Sequence, residues 1–142
     1  MSELSLTTTR QINAPVEKVF NAWLSPETLK KFMLPGGAGA SVPSASVDPK
    51  VGGRFTIVMA DGEKDIPHAG TYLTIDPHSR IVFTWESPFS AEGSTVSLDL
   101  RAIDPSKTEL TLTHVAFNSE SSRDGHKKGW DAILEALGQV AL

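Results

Sequence analysis

The chain has 142 residues and a mass of 15.3 kDa, is 39% hydrophobic and 21% charged, and carries 11 Gly and 9 Pro; this fits one globular domain over residues 1–142 and leaves no room for two. Folding at this length buries roughly 68–70% of the unfolded surface, so one core forms without a staple, and the absence of cysteine excludes a disulfide framework, a zinc knuckle and a thiol nucleophile. Thirteen Lys and Arg against 17 Asp and Glu give a net charge of −4, which argues against a nucleic-acid partner or an anionic membrane surface.

Residues 1–10 alternate polar and apolar side chains and lack the charged start and apolar run of a secretion signal. No stretch approaches the roughly 18 apolar residues of a membrane span, and there is no internal repeat or low-complexity segment. The expected location is the cytoplasm.

From residue 4 to 12, Leu4, Leu6 and Ile12 alternate with Ser5, Thr7, Thr9 and Gln11, the period of a half-buried strand. Pro15 fits the first position of a helix, where its missing N–H costs nothing, and Val16, Val19, Phe20, Trp23 and Leu24 follow at helical spacing for about three turns. Ser25-Pro26-Glu27 offers a capping hydroxyl, a proline at the first position and an acid in the first turn of a second short helix carrying Leu29, Phe32 and Met33. Pro35-Gly36-Gly37-Ala38-Gly39 ends it.

The period then becomes two, predicting strands at residues 45–48, 54–59, 69–76, 80–87, 95–103 and 109–117. Between them stand turn signals such as Asp61-Gly62, Asp76-Pro77-His78 and Asp104-Pro105-Ser106, links too short for a parallel crossover, so neighbours pair antiparallel. Helical period returns with Trp130, Ile133, Leu134, Leu137 and Ala141 in one stripe. A helix from about residue 122 to the C-terminus is ~30 Å long, and it is the only long cover for the apolar face of six successive strands. The predicted fold is α+β: a curved antiparallel sheet of about seven strands wrapped round a long C-terminal helix, with two short helices between the first and second strands.

Strand parity selects the side chains that face this helix. His114 shares a face with Leu110 and Leu112, and Ile81, Phe83 and Trp85 oppose Val82, Thr84 and Glu86, so His114 and Trp85 point inward while Glu86 faces water. An inward His is either a ligand hydrogen bonder or proton carrier, or a core His satisfied by a backbone carbonyl, Trp130 or Tyr72. Trp85 and Trp130 offer surfaces for stacking a ligand ring, or plain core. No spacing links His68, His114, Glu86 and Asp131 into an acid–base pair. The four His, at 68, 78, 114 and 126, lack helical ligand spacing, so no metal site is expected. The glycines around residues 36–39 and 52–53 lack the strand-to-helix context of a phosphate loop, and Lys127, Lys128 and Arg123 read as a solvated helix face. Gly125 and Gly129 each cost a helix about 1 kcal/mol relative to Ala, which points to close approach of backbone to sheet or ligand, or to a frayed first turn.

This order of elements resembles the helix-grip (START, Bet v-like) fold of the START-like (SRPBCC) superfamily. The wording is similar to one branch, the domain shared with activators of the heat-shock protein 90 ATPase, in single-domain bacterial form. The matching pieces are residues 12–23 (INAPVEKVFNAW), Gly52-Gly53-Arg54-Phe55, Gly70-Thr71 through Ile75-Asp76-Pro77 to residues 80–86 (RIVFTWE), residues 110–114 (LTLTH) and residues 125–131 (GHKKGWD). Two departures matter. Members often carry paired aromatics where this chain has Phe32-Met33, implying a softer pocket wall. The separate N-terminal domain of the eukaryotic activators has no counterpart here, which counts against co-chaperone activity.

The resemblance implies a binding domain that holds a small apolar or amphipathic molecule between sheet and C-terminal helix, with the mouth closed by residues 35–42 and 88–93. The expected lining is Phe32, Met33, Phe55, Tyr72, Phe83, Trp85, Leu98, Leu112, His114, Trp130, Ile133 and Leu134. No cofactor, metal, nucleic-acid or membrane partner is expected, and a homodimer is left open. The alternatives are a cyclase- or hydrolase-type enzyme using His114 as acid–base group, and a chaperone ATPase modulator acting by protein contact.

Overall fold

The computed structural model describes residues 4–34, 41–60, 64–88, 93–140 and 142. β1 (Ser5–Ile12) leads into α1 (Val16–Ala22) and α2 (Pro26–Phe32), followed by β2 (Ser41–Val47), β3 (Arg54–Ala60), β4 (Asp65–Asp76), β5 (Arg80–Thr84), β6 (Thr95–Asp104), β7 (Lys107–Val115) and α3 (Glu120–Gln139). The strands form one antiparallel sheet in the order β1-β7-β6-β5-β4-β3-β2. The expected seven-stranded helix-grip architecture is the one found.

The helical boundaries differ in detail. Pro15 is the N-cap of α1, not its first residue: its φ of −58° and ψ of 148° are extended, and its carbonyl accepts from the amides of Lys18 and Val19. α1 is two turns rather than three because Ser25, preceding Pro26, must stay extended (φ −108°, ψ 116°) and instead caps α2 through the Thr28 amide. α3 starts earlier than expected, at a Ser119 cap that accepts from the Ser122 amide. Ala141, placed on the α3 stripe, and the turns at residues 36–39 and 61–62 lie outside the described residues.

The strands the alternation missed are the irregular ones. β2 begins at Ser41 rather than 45, with a break in register between Ser41 and Ser44 around Pro43, which has no N–H for a ladder and is tolerated on this edge strand. β4 begins at Asp65 rather than 69, with Pro67 opposite Val58. Conversely, β5 stops at Thr84 rather than 87, after which Glu86 pairs singly with Ala69. β7 stops at Val115 because Ala116 adopts a left-handed φ of 71° and turns the chain toward α3.

β4 serves two ladders in succession, pairing with β3 over residues 65–71 and with β5 over residues 72–76. A bulge at Leu73, 48% exposed, shifts the parity so that Tyr72 and Ile75 both turn toward the core side. Gly70 sits where the strand changes partner: a Cβ there would overlap the Thr84 carbonyl and the Phe55 ring that lies across it. The bend therefore needs a glycine and lets the sheet curl.

The concave face is continuous core. Phe55, Ile57, Tyr72, Ile81, Phe83, Val96, Leu98, Leu110 and Leu112 meet Trp130, Ile133, Leu134 and Leu137 of α3, all buried. The Thr108 hydroxyl, fully buried, donates to the Ala14 carbonyl (2.8 Å) and fastens the start of α1 to β7. Thr8 of β1 donates to Asp131 (2.7 Å), tying α3 to the sheet edge.

Candidate functional site

One face of α3 carries Ser122, Gly125, His126, Gly129, Trp130 and Ile133 at three- and four-residue spacing. Farther along, Leu134 and Leu137 are large and fill the core. Toward the N-terminus the same stripe shrinks to serine and glycine, so the helix fails to reach the sheet. The result is a cavity of about 700 Å³ between the first half of α3 and one end of the sheet. A Cβ at Gly125 would meet nothing within 4 Å. Gly125 thus marks empty space rather than close backbone approach, and Gly129 lines the same cavity.

The opposite wall is Met59 and Ala60 at the end of β3, Ile66 and His68 at the start of β4, and Trp85 and Ser87 beyond β5, with Asn118 and Ser119 before α3. The deep part is aromatic. His68 lies over Trp85 at 5.0 Å between ring centroids (36° interplanar), and Trp85 meets Trp130 at 4.8 Å (54°).

His114 lies directly behind this wall and is 0% exposed. The Trp130 indole N–H donates to its Nδ1 (2.9 Å), so the ring proton of the neutral imidazole is on Nε2, which contacts the buried Ser94 hydroxyl. Burial, with the charge of His126 as the lesser cause, pushes its pKa down to about 3. Phe117 (4.5 Å) and His126 (5.3 Å) pack on the ring and complete its enclosure. It is a neutral group with both nitrogens engaged.

Two other histidines do line the cavity. His126 Nδ1 lies 2.7 Å from the Ser122 carbonyl and His68 Nδ1 lies 3.1 Å from the Ile66 carbonyl; since a carbonyl only accepts, each Nδ1 carries the proton. Desolvation holds the His68 pKa below the ordinary imidazole value. Lys128 lines the rim on the α3 side. Its neighbour Lys127 is bonded to Asp131 at 2.8 Å, and Arg123 to Asp124 at 3.1 Å, whereas Lys128 has no ion pair among the described residues.

Of the twelve residues expected to line a pocket, Trp85, Trp130 and Ile133 do so. Phe32, Leu98, Leu112 and Leu134 are fully buried in the core, and His114 stands behind the wall. Met33, Phe55, Tyr72 and Phe83 close with Trp23 and Trp85 around a gap of only about 10 Å³. Residues 35–40 and 89–92, expected to close the mouth, lie outside the described residues, while Ser87 beside the second of these reaches the cavity. Glu86 is on the outer face, bonded to Arg54 at 3.0 Å. Asp131 is on the far side of α3 from His68. No cluster of three or more metal-ligating side chains occurs among the described residues, and no helix among them is long and apolar enough to cross a membrane. The residues not foreseen are Met59, Ile66, His68, the serines of residues 119–122, His126 and Lys128. The sequence signal for them was the replacement of large by small residues along one α3 stripe.

Comparisons with solved structures fit this architecture. A structure from Chromobacterium violaceum superposes with a TM-score of 0.82 at 21% identity, covering 95% of this chain and 94% of that one. An AHSA1-like protein from Aeromonas hydrophila gives 0.81 at 23% identity, with 96% and 90% covered. A Plasmodium falciparum protein described as an HSP90 activator gives 0.68 at 27% identity, with 89% and 87% covered. None of the curated proteins matches the sequence. Residues 13–141, from the turn before α1 through the end of α3, match the family described as Activator of Hsp90 ATPase homolog 1-like protein, and the chain belongs to that family.

Proposed function

We propose that the chain is a small-molecule binding domain whose ligand, an amphipathic compound, occupies the cavity between the first half of α3 and the β3–β5 end of the sheet. The observation that carries this reading is the tapering α3 stripe. A helix that keeps Gly125 and Gly129 gives up about 1 kcal/mol at each relative to Ala, and here that cost coincides with an open volume of about 700 Å³, within the range of small-molecule sites. Apolar Met59, Ile66, Trp85, Trp130 and Ile133 would take the ligand body, and the serines, Asn118 and Lys128 its polar end. The engagement of both His114 nitrogens inside the fold supports binding over acid–base turnover through that residue.

The test is ligand capture by the wild-type chain and by Gly125→Leu, whose side chain enters the open volume. Denaturing extraction and mass spectrometry of freshly purified wild type are expected to release a small molecule that the variant lacks. Equal recovery from both proteins would refute the site.

The likeness to the Plasmodium activator favours a second reading, in which the domain contacts a chaperone ATPase. It predicts stimulation of a chaperone's ATP hydrolysis that survives Gly125→Leu, because a contact surface does not need the cavity.

A further inference from the structure

We infer that the ligand is a planar aromatic compound bearing an anionic group, a carboxylate or its equivalent, with its ring against the His68–Trp85 wall and its charge at the α3 rim. The inference rests on the cavity being the ligand site and adds the chemical class.

The first support is charge selection. The chain as a whole is acidic, yet no Asp or Glu is among the described residues that line the cavity, and Lys128 is. The neighbouring basic residues are neutralised, Lys127 by Asp131 and Arg123 by Asp124, whereas Lys128 has no counter-ion among the described residues. Asp124, one turn before Lys128, is the carboxylate occupied by Arg123, and Glu120 does not line the cavity.

Donors surround the same rim. Ser119, Ser121, Ser122 and Asn118 line the cavity at the start of a 20-residue helix, whose N-terminal dipole favours negative charge. Across the cavity the Nδ1 proton of His68 is held by the Ile66 carbonyl, and on α3 itself that of His126 is held by the Ser122 carbonyl, so neither Nδ1–H is offered to a ligand.

The second support is shape. His68, Trp85 and Trp130 make a stepped aromatic wall with centroid separations of 5.0 and 4.8 Å; Trp85 and Trp130 are only 4% and 2% exposed and back the wall with their edges, while the half-buried His68 ring offers the surface for contact with a flat ligand. The remaining contacts are the thioether of Met59 and the side chains of Ile66 and Ile133, suited to the same body.

The experiment uses two fluorescent probes of nearly equal aromatic shape, anilinonaphthalene sulfonate and its uncharged counterpart phenylnaphthylamine, titrated into wild type, Lys128→Gln and Gly125→Leu, with near-ultraviolet circular dichroism to verify the fold. Lys128→Gln is expected to weaken the sulfonate about three- to fivefold, as befits a partly exposed charge, and to leave the uncharged probe within about twofold. Raising the ionic strength should weaken only the sulfonate. Equal effects of Lys128→Gln and salt on both probes, or none on either, would overturn the anionic class while leaving the cavity as the site. If Gly125→Leu fails to weaken either probe, or neither binds wild type, the cavity reading falls and this inference with it.

Discussion

The Trp130 indole N–H donates to Nδ1 of His114 over 2.9 Å, and this bond ties the helix to the sheet at the boundary between solid core and cavity. It fixes the tautomer of His114, directs Nε2–H to Ser94, and leaves Trp130 to face Trp85 along the cavity wall. A residue that strand parity marks as the most chemically interesting in the chain serves here to hold an aromatic wall in place.

A pH dependence follows. In the unfolded chain His114 titrates near 6.5, and in the fold its pKa is pushed down to about 3. Between these values the unfolded state binds the extra proton, so His114 makes stability fall as pH drops from about 6.5 toward 3, by up to about 1.4 kcal/mol per pH unit. The contribution is level above the upper value. Denaturant melts from pH 8 to 4 should show this acid limb in wild type and a shallower one in His114→Gln, which carries no titrating ring. Parallel slopes in the two proteins would mean that His114 is not held neutral.

The bend of β4 supplies a second expectation. Gly70→Ala sets a methyl group against the Thr84 carbonyl and the Phe55 ring, and neither a main-chain carbonyl of the sheet nor a ring wedged against Tyr72 and Phe83 has room to retreat. The cost should be about 1–3 kcal/mol, typical of overpacking. A melting temperature unchanged from wild type would show that the sheet absorbs the methyl.

Core and surface of α3 separate in a third. Leu134 is 1% exposed against the sheet, so Leu134→Ala should lose about 2–5 kcal/mol. Lys127 makes a half-exposed pair with Asp131, and Lys127→Ala should stay within about 0.5 kcal/mol. Urea midpoints for both variants check the contrast, and similar losses would place the Lys127–Asp131 pair among the stabilising contacts of the fold.

How far these features could be read from the chain depends on which physical signal each leaves. The strands with strict alternation, such as Arg54–Ala60 and Lys107–Val115, were legible because one face is buried and one wet. The extra residues of β2 and β4 were hidden by Pro43 and Pro67, which break a pattern without breaking the strand, and the parity shift at Leu73 leaves no mark in composition. Inward direction was readable for Phe55, Tyr72 and Phe83, but direction does not distinguish packed core from cavity wall. That distinction depends on what stands across the gap, and it was written in Ser122, Gly125 and Gly129 on another element, from about forty to about seventy-five residues further along the chain. His68 and His126 come from different elements and meet only across the folded cavity, so no spacing could have paired them.

The final prediction sets stability against binding at one position. Gly125 lies within the first half of α3, where glycine costs about 1 kcal/mol relative to Ala through its backbone freedom. Its φ is not in the left-handed region, and a Cβ would touch nothing within 4 Å, so Ala is accepted without strain. Gly125→Ala should therefore raise stability by about 0.5–1 kcal/mol while removing only a methyl-sized part of the cavity, and binding of anilinonaphthalene sulfonate should weaken by no more than about twofold. Gly125→Leu keeps the helical gain but extends three further carbons into the space above Trp85 and Trp130. It should match or exceed wild type in a urea melt and lose most of the binding. A Leu variant that is less stable than wild type would mean that the side chain finds no room, contradicting the open volume; one that binds as wild type does would place the ligand elsewhere. Stability gained together with binding lost is the combination that identifies a glycine kept for the space it leaves.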